Sequence, residues 1–337
     1  MQIFGQNVGF HRLILESGVG MWYNNMNTKH PEAFMSIVSE WRTRINRCYP
    51  EMKLLENEPL SKHTSFRIGG PADLMAFPAS EEELAFLLKT AQELGQRPAI
   101  LGAGTNVLAA DDGKRGLVIC TRDCLDGITL LDETTMEVMC GATMARAAMF
   151  ARDHGLTGLE FAHGIPGTVG GGVFMNAGAY GGELRQAAVA TTVMFPDGTV
   201  KTFEGESQGF SYRHSAFQEL DCVILRTVFR LEKGDKQAIT QRMQELAGKR
   251  RSSQPLEMPS AGSTFKRPEG AYAAALIDQC QLKGVGVGKA AVSEKHAGFV
   301  VNLGGATAED VLATIRMIQE TVRRQTGFSL ETEVKLF

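Results

Sequence analysis

Past residue 58 the chain alternates between two hydrophobic periods. A period near 3.6 predicts helices, and a period of two predicts strands. Ser80 and Glu83 form a capping-box pattern ahead of Leu84, Leu87, Leu88, Ala91 and Leu94, with Gly95 as the stop. Further helices are expected over 144–154, over 235–251 with Ile239, Met243 and Leu246 inward, and over 273–280. A last one over 307–325 carries Thr307 and Asp310 as its cap and Val311, Ile315, Ile318 and Val322 as its apolar face. Strands are expected over 116–120, 128–131, 136–140 and 222–231. Two more, 189–195 and 199–203, flank Pro196-Asp197-Gly198 as a hairpin. The terminal segment 330–337 alternates as a strand. Before residue 55 the pattern offers only a helix over 32–48, with Phe34, Ile37, Val38, Trp41 and Ile45 on one side.

Two stretches break this regularity. Residues 164–182, GIPGTVGGGVFMNAGAYGG, are dense in glycine yet carry Ile165, Val169, Val173, Phe174 and Met175 where a solvated linker would carry polar residues. Backbone so bare allows close approach by another molecule. The shorter run 100–108, ILGAGTNVL, reads as strand, tight turn and strand, and successive amides in such a turn can form a concave anion site. Neither run is a phosphate loop, since Gly172 is followed by Val173 and Gly288-Lys289 by Ala290. The dinucleotide fingerprint also fails, because Val107 and Lys289 stand where its third glycine belongs.

Composition narrows the field without choosing within it. With 337 residues, 43% hydrophobic and 22% charged, the chain has the make-up of a globular enzyme of two or three domains. A net charge of -3 disfavours nucleic acid and anionic membranes as partners. Cys48, Cys120, Cys124, Cys140, Cys222 and Cys280 form no CxxC pair and have no zinc-type spacing, so reduced thiols and no metal are expected. No apolar run reaches membrane-spanning length, and a cytoplasmic protein is the expectation.

GAGTN and GIPGTVGGGVFMNAGAYG are followed in order by SYRHSAF, PSAGSTFKRP and LETEV. Together, over about residues 63–334, these resemble the UDP-N-acetylenolpyruvoylglucosamine reductase (MurB) family, in its shorter type II branch. The resemblance implies an α+β fold, with a two-subdomain FAD-binding module of the vanillyl-alcohol-oxidase type and a smaller C-terminal α/β domain for substrate. The divisions expected are 1–54 as an extension of unknown role, of which 1–50 is expected to be dispensable for activity, 55–122 and 123–232 as the FAD subdomains, 233–326 as the substrate domain, and 327–337 as a strand returning to the active site. The resemblance further implies noncovalent FAD, NADPH as hydride donor, UDP-N-acetylglucosamine enolpyruvate as substrate, and a monomer. Gly102, Ala103, Gly104, Thr105 and Asn106 of the first loop would hold the cofactor, with Ile165, Pro166, Gly167, Thr168, Gly170, Asn176, Ala177 and Gly178 of the second.

The implied reaction develops negative charge beside a carboxylate and then protonates carbon. Arg213 matches the carboxylate and enolate partner, a role that suits its planar fork. Ser263 matches the proton donor and Glu333 the family's carboxylate, with Glu331 as the competing register. Tyr212, Arg213, Lys266 and Arg267 would bind substrate. His214 is set aside because neighbours on a strand point oppositely. The lysine that precedes the serine motif in the longer branch has no counterpart here beyond Gln254, leaving Lys249, Arg250, Arg251, Lys266 and Arg267 as cations for the substrate diphosphate. Two other readings compete: a flavin oxidase or dehydrogenase of another small substrate, and a nucleotide-sugar sensor without turnover.

Overall fold

The computed structural model describes residues 31–337. Residues 1–30 of the expected extension lie outside the described residues. Helix α1 (Pro31–Cys48) corrects the expectation of a dispensable N-terminus, because Trp41 and Ile45 are fully buried in the main core beside Leu74, Leu84, Leu87, Leu117 and Ile119. That side of the helix is therefore part of the first subdomain. Arg44 adds exposed ion pairs to Glu40 and to Glu93 at the end of helix α2 (Glu81–Glu93), which contribute little beside the buried indole. The α2 cap forms as expected, with Ser80 Oγ accepting from Glu83 N–H, while the Glu83 carboxylate reaches Ala79 N–H instead of Ser80.

The first sheet runs in the order Lys53–Pro59, Pro71–Phe77, Lys114–Cys120, Ala99–Leu101. Its first pair is antiparallel and the other two are parallel. The second sheet is antiparallel throughout, ordered Val200–Glu204, Ala188–Met194, Val223–Arg230, Thr135–Met139, Ile128–Leu130. Helices α3 (Met144–Asp153), α4 (Val169–Phe174) and α5 (Lys236–Ser253) bury residues in the same core as this sheet. Two differences from the sequence reading follow. Helix α4 lies inside the glycine-rich run, started by Thr168, whose hydroxyl accepts from Gly171 N–H. Helix α5 buries Ile239, Met243 and Leu246 and packs against α3 and the 160–164 turn, so it lies with the second subdomain and not with the C-terminal domain.

In the C-terminal domain helix α6 (Ala273–Gln279) packs against helix α7 (Ala308–Thr326), and α7 packs on the sheet Gly286–Val287, Ala290–Val292, Val300–Asn302. The Thr307–Asp310 capping box is complete, and Gly327 ends α7 in the left-handed region that its missing Cβ permits. Phe66, Ile68 and Leu108 of the first subdomain share this domain's core with Phe265, Ile318 and Val334. Polar contacts reinforce the junction: Ser65 Oγ donates to Ser260 O, Asn302 Nδ2 donates to Phe66 O, and Asp111 accepts from Ala308 N–H at the start of α7. Of the terminal segment, only Lys335–Leu336 pairs as a strand, parallel to Val107–Leu108 directly after the GAGTN loop. This pairing carries Glu333 to the junction of all three units.

Candidate active site

Arg213 occupies the third position of the four-residue turn 211–214, closed by Ser211 N–H to His214 O and the reciprocal bond. Its φ is +56°, a left-handed conformation costing a residue with a Cβ about 1–2 kcal/mol. The surroundings hold it there. Gln218 Nε2 donates to Arg213 O at 3.1 Å and to Phe174 O at 2.8 Å, and Ser215 Oγ donates to Phe174 O. His214 lies in this turn and not on a strand, so the alternation of strand side chains does not apply to it. Both its ring nitrogens are taken, one by Gly209 O and one by Glu219.

Arg213 Nε lies 2.8 Å from Glu333 Oε1, with the two side chains 20% and 13% exposed. The Nε–H is not directed at that oxygen, so the contact is an ion pair without an aligned hydrogen bond. A further guanidinium nitrogen donates to Gly178 O at 3.4 Å. Burial pushes the Glu333 carboxyl above its ordinary value, opposed by the nearby Arg213, Lys266 and Lys335. Glu331 is resolved as the outward residue, since it pairs with Lys266 and is 72% exposed. Ser263 arrives on the neighbouring segment: Thr264 O accepts Glu333 N–H at 2.9 Å, and Phe265 bridges Thr332. Among the described residues the Ser263 hydroxyl has no hydrogen-bond partner, which leaves its proton available.

Tyr212, Lys266 and Arg267 line an open pocket of about 370 Å³ together with Pro268, Glu269, Ser329 and Glu331. Tyr212 hydroxyl accepts Arg267 N–H at 3.1 Å, and its ring centroid lies 5.3 Å from the Arg213 guanidinium carbon. The expected substrate residues are thus contiguous with the Arg213–Glu333 pair.

The glycine loops clasp each other. Thr105 Oγ1 donates to Pro166 O at 3.1 Å, and a Cβ on Gly102 would stand 2.5 Å from Thr168 Oγ1. At Gly104, with φ +61°, a Cβ would meet His63 O at 2.1 Å. Much of the glycine content therefore serves packing within the protein as well as access to the backbone. Among the described residues, the amides of Gly102, Ala103, Gly104, Thr105 and Asn106 donate to no protein acceptor. Five consecutive free donors in a turn fit a diphosphate. The second loop is more divided. Gly167, with φ +135°, and the exposed Pro166 sit at the clasp with Ile165.

Gly170 and Ala177 instead spend their amides on Cys140 O and Gly172 O, and Thr168 Oγ1 is the α4 cap. Asn176 is buried, with its carboxamide bonded to Glu183, Ser211 O and Arg185 N–H. The side chain of Asn176 therefore organises the loop and has no free donor for a cofactor. Its partner Ser211 opens the Arg213 turn. Asn106 Nδ2 donates to Glu333 O, and Asn106 O accepts Lys335 N–H, so this loop also ties down the C-terminal segment that carries Glu333.

Two residues escaped the sequence reading. Lys335 follows Glu331 and Glu333 at two-residue spacing, the signal that could have revealed it. Burial, then the charge of Lys266, pulls its ammonium below the ordinary value, and it reaches Gln218 Oε1 at 3.4 Å. Gln218 braces the Arg213 turn, and only its place after SYRHSAF hinted at that. No cluster of three His, Cys, Asp or Glu suited to a metal occurs among the described residues.

The model for the UDP-N-acetylenolpyruvoylglucosamine reductase C-terminal domain matches residues 254–337, and an FAD-binding domain model matches 72–204. A UDP-N-acetylenolpyruvoylglucosamine reductase from Pediococcus pentosaceus is 44% identical over 87% of this chain and 97% of its own length. The chain belongs to this reductase family. The Agathobacter rectalis reductase is 46% identical, covering 85% of this chain and 95% of that protein. The crystal structure of MurB from Thermus caldophilus superposes with a TM-score of 0.73 at 34% identity, over 85% of this chain and 99% of that one. The FAD-binding module and C-terminal domain expected from the sequence are the architecture found, and the family model's start at 254 agrees with assigning α5 to the second subdomain. No helix of the described residues is long and apolar enough to cross a membrane.

Proposed function

We infer that the chain is a UDP-N-acetylmuramate dehydrogenase, reducing UDP-N-acetylglucosamine enolpyruvate to UDP-N-acetylmuramate for peptidoglycan precursor synthesis. The observation that carries this reading is the convergence of Arg213, Glu333 and the unpartnered Ser263 beside the clasped glycine loops. FAD, held noncovalently by the free amides of 102–106 and the 165–167 segment, supplies hydride transfer from NADPH to the enol ether. Arg213 binds the substrate carboxylate and stabilises the charge that spreads into it. The unaligned Nε–H and the fork's remaining donors are the groups available to it. Glu333 holds the guanidinium. Burial biases the Glu333 carboxyl toward the neutral form, opposed by Arg213, Lys266 and Lys335. Ser263 donates the proton to the carbanionic carbon, completing addition of one hydride and one proton across the double bond.

Tyr212, Lys266 and Arg267 contact the nucleotide sugar from the adjoining pocket. A cytoplasmic location and a monomeric state complete the reading. The test is direct: the purified chain should be yellow, release FAD on denaturation, and oxidise NADPH in proportion to added UDP-N-acetylglucosamine enolpyruvate. A protein that takes up no FAD, or that oxidises NADPH at the same rate without that substrate, removes the inference.

A further inference from the structure

Of the five cations the sequence offers for a diphosphate, four are satisfied or solvated. Lys249 pairs with Glu245, Lys266 pairs with Glu331, Arg251 is exposed, and the exposed Arg267 stacks over Tyr272 at 4.3 Å. Arg250 differs. It sits in the last turn of α5, directed at the start of the glycine-rich run, where a Cβ on Gly164 would lie 3.4 Å from its Cδ and 3.8 Å from a guanidinium nitrogen. Among the described residues its guanidinium has no carboxylate and no hydrogen-bond acceptor. Burial pulls its pKa below the ordinary value. The residue is partly buried, so its charge is only partly screened by water and is open to a counter-ion arriving from the glycine-loop side.

A second observation lies beside the first. His163, which precedes Gly164, has a buried Nδ1 without a partner, and Gln254, one turn beyond Arg250, has a buried Oε1 without one. The polar groups around Gly164 are thus unsatisfied within the protein on both sides of the α5 contact. Gly164 leads into Ile165, Pro166 and Gly167, which the Thr105 bond clasps to the free amides of 102–106. Arg250 therefore stands on the glycine-loop side of the site, and the Tyr212–Lys266–Arg267 pocket has its own cations.

We propose that Arg250 is an anion subsite for a nucleotide diphosphate, that of the bound flavin nucleotide, with the UDP of the substrate as the other source of the same chemistry. This rests on the reductase reading above. The bound diphosphate supplies the counter-charge that Arg250 lacks and joins the 164–167 segment to the 102–106 turn.

The experiment uses the full chain, stripped of flavin, as parent, Arg250→Met and Arg250→Lys. Binding of FAD and of riboflavin, which lacks phosphate, is titrated by fluorescence, and the apoprotein melting temperature is recorded. Arg250→Met keeps the apolar stem and removes the charge. It should melt no lower than the parent apoprotein and bind FAD roughly 10-fold or more weakly, a smaller loss than a fully buried charge pair would give. Riboflavin affinity should not change, and Arg250→Lys should recover most of the FAD affinity. If FAD binding is intact but the substrate dissociation constant of the loaded enzyme rises by a similar factor, the substrate diphosphate is the ligand. Unchanged affinity for both, or equal loss for FAD and riboflavin, overturns the proposal. A parent that binds no FAD instead removes the reductase reading itself.

Discussion

Replacing Trp41 with alanine tests whether α1 belongs to the fold. The indole is fully buried in the main core, and deleting a buried aromatic side chain costs about 3–5 kcal/mol from lost transfer energy and the cavity left behind. One feature works the other way. Trp41 Nε1 is buried without an acceptor, a penalty of about 1–3 kcal/mol that the substitution relieves. Taking the middle of each range, the expected destabilisation is about 2 kcal/mol, a sizeable part of the roughly 5–15 kcal/mol that holds a domain folded. Urea unfolding of the FAD-loaded protein, followed by tryptophan-independent circular dichroism, should show a lower midpoint at an unchanged slope. Deleting residues 31–48 should lower it further or abolish soluble protein. A Trp41→Ala midpoint within about 0.5 kcal/mol of the parent, the usual range for surface changes, would refute the docking of this helix.

Three further outcomes follow from the site. Gly104→Val should fail to fold normally or to retain FAD, since a Cβ there meets His63 O at 2.1 Å; a variant with parental FAD content and melting temperature contradicts the loop geometry. His214→Ala should change kcat/KM by no more than about 5-fold, because its ring holds only a local turn and an exposed pair, worth up to about 1 kcal/mol; a hundredfold loss would return it to the chemistry. Glu333, whose folded pKa is raised above the ordinary 4.5 by burial, contributes stability that is full below that value and is lost as pH rises through the folded one. Glu333→Gln should flatten this fall in urea midpoint between pH 4.5 and neutrality, and an identical slope in parent and variant would show that Glu333 is not the group responsible.

Local signals carried far in this chain. Caps at Ser80 and Thr307, the glycine stop at Gly327 and the Pro196-Asp197-Gly198 hairpin fix their elements through contacts a few residues apart, so periodicity and turn chemistry suffice to find them. Ordered motifs picked out Arg213 and Glu333, which the fold pairs at 2.8 Å, and Ser263, next to the residue that bonds Glu333 N–H. What pattern could not supply was destination. Helix α5 shows three inward residues whichever domain it joins, and Trp41 gives the same spacing on a docked helix as on a free one. Short-range steric facts were equally hidden. Helix α4 forms within a glycine run because Thr168 caps it and Gly170 and Gly172 press against Cys140 and Met144, contacts invisible along the chain. Asn176 looked like a cofactor ligand until its three protein partners were in view.

Whether Ser263 completes the reduction prepared by Arg213 and Glu333 is decided by separating the half-reactions of Ser263→Ala under stopped flow. NADPH should bleach the flavin absorbance at close to the parental rate, because this step needs no proton from the serine. Recovery of absorbance on adding UDP-N-acetylglucosamine enolpyruvate should then slow by roughly 10²- to 10⁴-fold, the range for loss of a general acid. Recovery at the parental rate with the protonated product formed would contradict the account and reduce Ser263 to a turn residue.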